Sequence, residues 1–348
     1  MDCAVLLSLF KLRFEVLLSF SISKERRVIL PKSHSIFNSR TSTALLLSAF
    51  LVLSSCATTN KLALGAVANA LAGTQSSTVF TGDDDPELVG ESLPVFIKTF
   101  EALREQLPHH QGLILQTGSL EVMYANAFVQ GPAQRLPADQ FDQKRFQLDR
   151  ALKLYLRADK VLKAGLELRF PGLEKALAEG TAEPLLAKAN KNDVPLLYWE
   201  SAAVMSAFAL APLDVALSVR VKGVTALMAR AYALDPNYGD GTLDEFYISF
   251  YGALPDGLGG SKVLAKRHFD TALLKDKGQE AGPYLAYVQA VSLPNQNFPE
   301  FKKLLKAALA IDVDKDPSHR LVNILAQTEA RWLLAHKDDL FLDTGDTP

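Results

Sequence analysis

From Asp83 onward the hydrophobic positions recur with a helical period. Phe96, Phe100, Leu103 and Leu107 fall at i, i+4, i+7 and i+11, and Leu321, Ile324, Leu325, Thr328 and Trp332 mark one face of the last long segment. Such spacing turns one stripe inward and leaves the opposite face wet. Turn signals separate the periodic stretches: Leu107-Pro108, Phe170-Pro171-Gly172, Asp235-Pro236-Asn237-Tyr238-Gly239, Leu254-Pro255-Asp256-Gly257 and Asp316-Pro317. No run of alternating β-branched residues offers a strand. The pattern predicts an all-α protein. Its folded body should open at Asp83-Asp84-Asp85-Pro86, where an acidic cap precedes a proline at the first helical position.

The periodic segments also repeat. The second helix of a tetratricopeptide unit carries a large residue three positions before an alanine and a proline five after it. Met228, Ala231 and Pro236 fit in full; Phe100, Leu103 and Pro108 fit apart from the alanine. Phe269 with Ala272, Leu305 with Ala308 and Tyr155 with Ala158 fit without the proline. Ala231, Ala272 and Ala308 recur at intervals slightly longer than the tetratricopeptide period of roughly 34 residues. A small residue lets two helices approach, and the large one fills the groove beside it. Segment 195–211 has the same make-up, with Ser201, Ala202, Ala203, Ser206 and Ala207 among Tyr198, Trp199, Met205 and Phe208. The expectation is an all-α, tetratricopeptide-like helical-repeat solenoid over 83–342 and a short tail at 343–348. A generic α bundle that happens to repeat these pairs is the alternative.

Upstream of the body the pattern changes. An apolar run, Ala44 to Leu53, follows Lys32 and Arg40 and ends in Leu53-Ser54-Ser55-Cys56. A basic start, a short apolar middle and small residues at the cut make a secretory signal. The run holds about ten residues, too few for a bilayer that needs roughly 20. Leu-Ser-Ser-Cys resembles the bacterial lipobox, in which the thiol receives a diacylglycerol and the preceding peptide bond is cut. Residues 1–55 thus read as a signal region, Cys56 as the lipidation site and 56–82 as a lipidated tether. An ordinary signal with a chance cysteine is the other reading. Residues 1–27 read as an over-extended gene start, with initiation near Val28 or Leu30, unless the chain has a long n-region. Ala57, rather than Asp, after the cysteine matches the outer-membrane sorting pattern of Gram-negative lipoproteins.

Charge and motifs narrow the chemistry. The formal net charge is −2, and loss of the signal region would make it more negative. No basic cluster is present, so nucleic acid is not an expected partner. Cleavage would also remove Cys3, leaving no intrachain disulfide in an oxidising compartment. Asp312, Asp314 and Asp316 open like a calcium loop, but Pro317 stands at the glycine position and Asn323 at the bidentate glutamate position. Gly257 to Lys262 lacks phosphate-loop spacing, and Ser261 reads as a helix N-cap. His109 and His110 follow a turn proline and are expected to face solvent. No zinc helix or nucleophile elbow is found. Neither a catalytic residue, a metal nor a cofactor is assigned.

Aromatic residues are more suggestive. Tyr238, Phe246, Tyr247, Phe250 and Tyr251 crowd one stretch. On a helix, Tyr247 and Tyr251 share a face with Asp244, while Phe246 and Phe250 share the adjacent one. One helix buries one stripe against its own repeat; the second must meet another helix, a partner or a ligand groove. Tyr238, Asp240, Asp244, Phe246, Tyr247, Phe250 and Tyr251 are therefore the candidate partner or ligand surface, with core packing as the alternative.

Several ordered segments carry a family resemblance: Asp84-Asp85-Pro86-Glu87-Leu88, Tyr124-Ala125 with Ala127-Phe128-Val129, Leu234-Asp235-Pro236 with Tyr238-Gly239-Asp240-Gly241, and Glu245-Phe246. Further on come Gly259-Gly260-Ser261, His268-Phe269, Phe301, Ile311-Asp312, Arg320-Leu321 with Asn323, Ala330 to Leu334, and Asp338-Asp339-Leu340-Phe341. From Asp83 to about Leu342 the chain resembles the TatT component family associated with TRAP (tripartite ATP-independent periplasmic) transporters. The stretch from Phe170 to Asn190 is longer and more charged than that family pattern. The resemblance implies a periplasmic lipoprotein with tetratricopeptide-like helices. It implies association with the transporter's solute-binding protein, the passing or holding of an apolar ligand, and no catalytic residues. A lipoprotein scaffold for envelope assembly and an unrecognised hydrolase are the rival classes. A homo-oligomer is compatible with the sequence. The Cys56→Ala variant is expected to leave the membrane fraction on cell fractionation; retention there would refute lipidation.

Overall fold

The computed structural model describes residues 64–71 and 77–344. The chain divides after Ala57 into two units, and all described residues belong to the second. Cys56 and the signal region lie outside the described residues. Among the described residues there are helices and turns and no strand. We number the longer helices α1 (Pro86–Gln106), α2 (Gln111–Tyr124), α3 (Phe141–Arg169), α4 (Val194–Leu210), α5 (Val215–Leu234), α6 (Thr242–Ala253), α7 (Lys262–Lys275), α8 (Gly282–Tyr287), α9 (Phe298–Leu309) and α10 (Arg320–Ala335). Helix α2 runs on through a π-helical stretch, Ala125–Gln130, and α8 through another, Val288–Ser292.

Local chemistry sets the helix ends. Asp85 accepts from the backbone N–H groups of Glu87 and Leu88, and Pro86 opens α1, as the sequence predicts. Ser261 caps α7 through Leu264 N. His110, expected to face solvent, instead caps α2 by accepting from Leu113 N at 3.2 Å, while its Nε2 lies 3.0 Å from Asn69 Oδ1. Asn69 belongs to the helix over 64–71, whose Ala68 is fully buried with Val89, Leu93 and Ile97 of α1. The folded body thus takes in part of the stretch expected to be tether, because its Ala/Leu run finds an apolar face to cover. The charged stretch after Phe170 folds into short helices, Leu173–Glu179 and Glu183–Leu186, that pack on α5.

Consecutive helices pack on one another: α1 on α2, α2 on α3, α3 on α4, α4 on α5, then α6 on α7, α7 on α8, α8 on α9 and α9 on α10. Small residues allow the close crossings. A Cβ on Gly165 would stand 2.7 Å from Ile114, so α2 and α3 meet nearly backbone to side chain. Ala158, Ala231, Ala272 and Ala308, the small members of the predicted pairs, are all fully buried, and their partners Tyr155, Met228, Phe269 and Leu305 are buried with them. Helix α6 sits between the two larger cores, giving Leu243, Tyr247 and Phe250 to one and Ile248 to the other.

The array closes end to end. Helix α10 packs on α1 and on the turn of helix at Ser77–Thr81. Leu321 is buried in the cluster formed by α1 and α2, with Leu325 against its edge. Arg320 donates to the Gly82 carbonyl at 3.1 Å, and Arg135 pairs with Glu329 at 2.7 Å. An open repeat array has free ends; here each end covers the other. Leu321→Ala is expected to lower unfolding free energy in urea by about 2–4 kcal/mol, the usual cost of a buried leucine cut to alanine. A loss well under 1 kcal/mol would mean that the closing contact carries little of the fold.

Candidate binding site of buried carboxylates and aromatic rings

The segment after α5 makes a sharp turn. Tyr238–Gly241 is a single 3-10 turn in which Gly239 (φ 56°) and Asp240 (φ 50°) are both left-handed. A left-handed aspartate is uncommon, and such backbone collects at functional sites. Gly241 (φ 128°) passes so close to α7 that a Cβ there would lie 3.4 Å from Ala272 Cα. The turn lays the Tyr238 ring 5.8 Å from Tyr198 of α4, and Tyr198 in turn lies 5.0 Å from Trp199, edge to face. Burial pushes the Tyr238 hydroxyl up to about 12, although the Trp199 side chain directed at it works the other way. Tyr198 is raised further, first by burial and then by Glu245, Tyr238 and Glu280 nearby.

Asp244, one turn into α6, is fully buried. It accepts from Tyr232 Oη at 3.0 Å and Lys275 Nζ at 2.5 Å, and its Oδ1 lies 2.7 Å from His268 Nδ1. Burial opposes its charge, yet the bonds from His268 and Lys275 hold the carboxyl below its ordinary range. His268 stacks on Tyr247 at 4.7 Å and on Tyr251 at 5.6 Å. The face predicted to join Asp244, Tyr247 and Tyr251 therefore exists, but it packs on α7. Asp244, Tyr247 and Phe250 are core residues; Tyr238, Phe246 and Tyr251 are half-buried; Asp240 is exposed, 3.8 Å from His319 Nε2. The reason is the ion pair. A helix with a carboxylate on its aromatic face is buried when its neighbour supplies the cation.

The adjacent residue, Glu245, has a different setting. It is half-buried, and desolvation followed by Glu280 and Asp276 raises its carboxyl to about 7. No side-chain donor or cation among the described residues meets it. Its Oε2 presses on Gly282, where a Cβ would stand 2.6 Å away. Asp276, at the end of α7, accepts from Gly278 N at 2.6 Å through Oδ1, and the backbone N–H of Glu280 also acts on its carboxyl. Burial raises Asp276 to about 6. Glu280 meets His319 Nδ1 at 3.0 Å, and that contact raises the imidazole. Asn323 of α10 ties this loop down, accepting from Ala281 N and donating to Gln279 O, both at 2.9 Å. Glu245, Asp276 and Glu280 thus act on one another, His319 meets Glu280, and Tyr198 of α4 feels Glu245 and Glu280.

Of the predicted site residues only Tyr238 and Asp240 reach this cluster; Tyr198, Trp199, Glu245, Asp276, Glu280 and His319 were not singled out. One signal was available for Glu245. It shares i, i+4, i+7 with Ser249 and Gly252, a face too small to fill a core. Cys56 lies outside the described residues.

Residues 82–341 match the TAtT family, the TRAP transporter T-component. The chain belongs to that family. A protein of Treponema pallidum (strain Nichols), described as uncharacterized, is similar to it: 39% identical over 268 residues, 76% of this chain and 83% of its own length. The match spans every residue of the cluster. The T-component family is one of transporter components, not of enzymes.

A raised carboxyl has a consequence for stability. The native T-component holds the Glu245 proton more tightly than the unfolded chain does, so the stabilisation is complete below the ordinary value of 4.5 and is lost as pH rises toward about 7. Glu245→Gln is expected to match the parent in thermal melts at acid pH and to gain on it progressively up to neutral pH. A constant difference across that range would show that the carboxyl is not protonated in the fold.

Proposed function

We propose that this T-component is a periplasm-facing lipoprotein, held by acyl chains on Cys56 and sorted to the outer membrane, that binds the solute-binding protein of a TRAP-type transporter and assists uptake of its ligand. The observation that carries this reading is the family match over residues 82–341, from α1 to α10. Among the described residues no helix is long and apolar enough to cross a membrane, so the reading assigns anchoring to the lipobox. One acyl chain anchors weakly, whereas several make the attachment stable. A short tether would then raise the body's effective concentration near other envelope components. The buried large-and-small pairs of successive helices support a tetratricopeptide-like arrangement, and such helices usually present residues to a protein partner.

The deciding test is recovery from detergent extract. Tagged full-length chain is expected to retain the solute-binding protein encoded with a TRAP permease, and purified components should associate at micromolar concentration or better. Recovery of outer-membrane assembly factors alone, with no solute-binding protein, would replace this reading with a lipoprotein scaffold for envelope assembly.

A further inference from the structure

Helix α5 carries Arg220, Lys222 and Arg230 and no acidic residue. Arg220 is taken up by Asp159 at 2.5 Å and Glu200 at 2.8 Å. Among the described residues no carboxylate comes within ion-pair distance of Lys222 or Arg230. Arg230 is half-buried. Its Nη2 donates to the carbonyls of Ala187 at 3.1 Å and Ala189 at 2.5 Å, and its buried Nε has no acceptor. Two other arginines hold an unmet Nε, but each stands by an acid, Arg104 by Glu121 and Arg320 by Asp314. Lys222 and Arg230 border one cleft of about 410 Å³, in which Leu177 and Leu186 of the short helices lie across from Ala226 and Ala229 of α5. A mostly apolar hollow of that size, with a few polar groups on its wall, suits a small ligand. Alanine at these α5 positions keeps that side shallow, so the short helices cover a hollow rather than a filled seam. Lys222 Nζ reaches the Gly180 end, 3.3 Å from where a Cβ on that glycine would stand, and Arg230 reaches the Ala187 end. Eight residues of helix set their Cα atoms about 12 Å apart. Glu183 is the one acid among the lining residues.

We propose that this cleft binds a small aliphatic carboxylate, its alkyl body lying along Ala226 and Ala229 and its carboxylate meeting Nε of Arg230. A buried donor without an acceptor costs free energy, and the carboxylate removes that cost. A guanidinium N–H on a carboxylate is a charge-assisted bond, stronger than a neutral one, and the partial burial of Arg230 strengthens it further. Lys222, out in solvent, adds a weaker attraction at the far end of the cleft. Two cations against one acid set the sign of the ligand: an alkylammonium would bring a like charge to both, and an alcohol would offer Nε only a neutral acceptor. The leucine and alanine walls have no polar group for a second hydrophilic end, so the rest of the ligand is apolar. The inference stands apart from the transporter reading, since it uses these side chains alone.

Calorimetric titration at neutral pH tests it, using the full chain with Cys56→Ala so that no acyl group of its own competes. The probes are butanoate, hexanoate and octanoate, with 1-octanol and octylammonium as the uncharged and cationic counterparts. Affinity is expected to rise about three- to fourfold for each added CH2 as the chain covers the alanines. Octanoate should bind at least about tenfold more tightly than 1-octanol, and octylammonium most weakly. Arg230→Gln should weaken octanoate at least about tenfold and 1-octanol little. Ala229→Phe, at an exposed position, should fill the cleft and abolish binding of both while the helical circular dichroism is kept. Arg230 also holds the carbonyls of Ala187 and Ala189, so if its variant misfolds the Ala229 variant decides. No heat with octanoate, equal affinity for acid and alcohol, or undiminished binding by folded Ala229→Phe would each overturn the proposal. An oligomer that Ala229→Phe dissociates, in a chain that binds no octanoate, would overturn it in favour of a second copy of the chain as the occupant.

Discussion

A carboxylate taken out of water must be met by a cation, by donors or by a proton. This chain buries several, and how each is met decides what its surroundings can do. Asp159 and Glu200 sit on neighbouring helices and share Arg220 from the next one, so a single guanidinium ties α3, α4 and α5 together. Asp244 does the same for α6 and α7 through Lys275 and His268. Where cations are built in, the rings around them become core, which is why Tyr247 and Phe250 are buried. Where none is built in, at Glu245, desolvation raises the carboxyl to about 7.

Closure of the array adds a second constraint. Leu321 under α1 and Arg320 on the Gly82 carbonyl hold the last helix against the first. The 276–281 loop is fixed to that same last helix by Asn323, and His319 stands at its entry.

Much of the fold was legible in the linear pattern. Helical periodicity, the Asp85-Pro86 and Ser261 caps, and the large-and-small pairs all state local preferences, and local preferences survive folding because they act within a turn or two of chain. The pairing of Asp244 with Tyr247 and Tyr251 on one face was equally visible. Which way that face points was not, because the answer lies in Lys275 and His268 on another helix. End-to-end closure, the cap role of His110 and the convergence of Tyr198, Glu245, Asp276 and Glu280 share the same reason. They join residues far apart in sequence, and no period or spacing records a contact that only helix packing brings about.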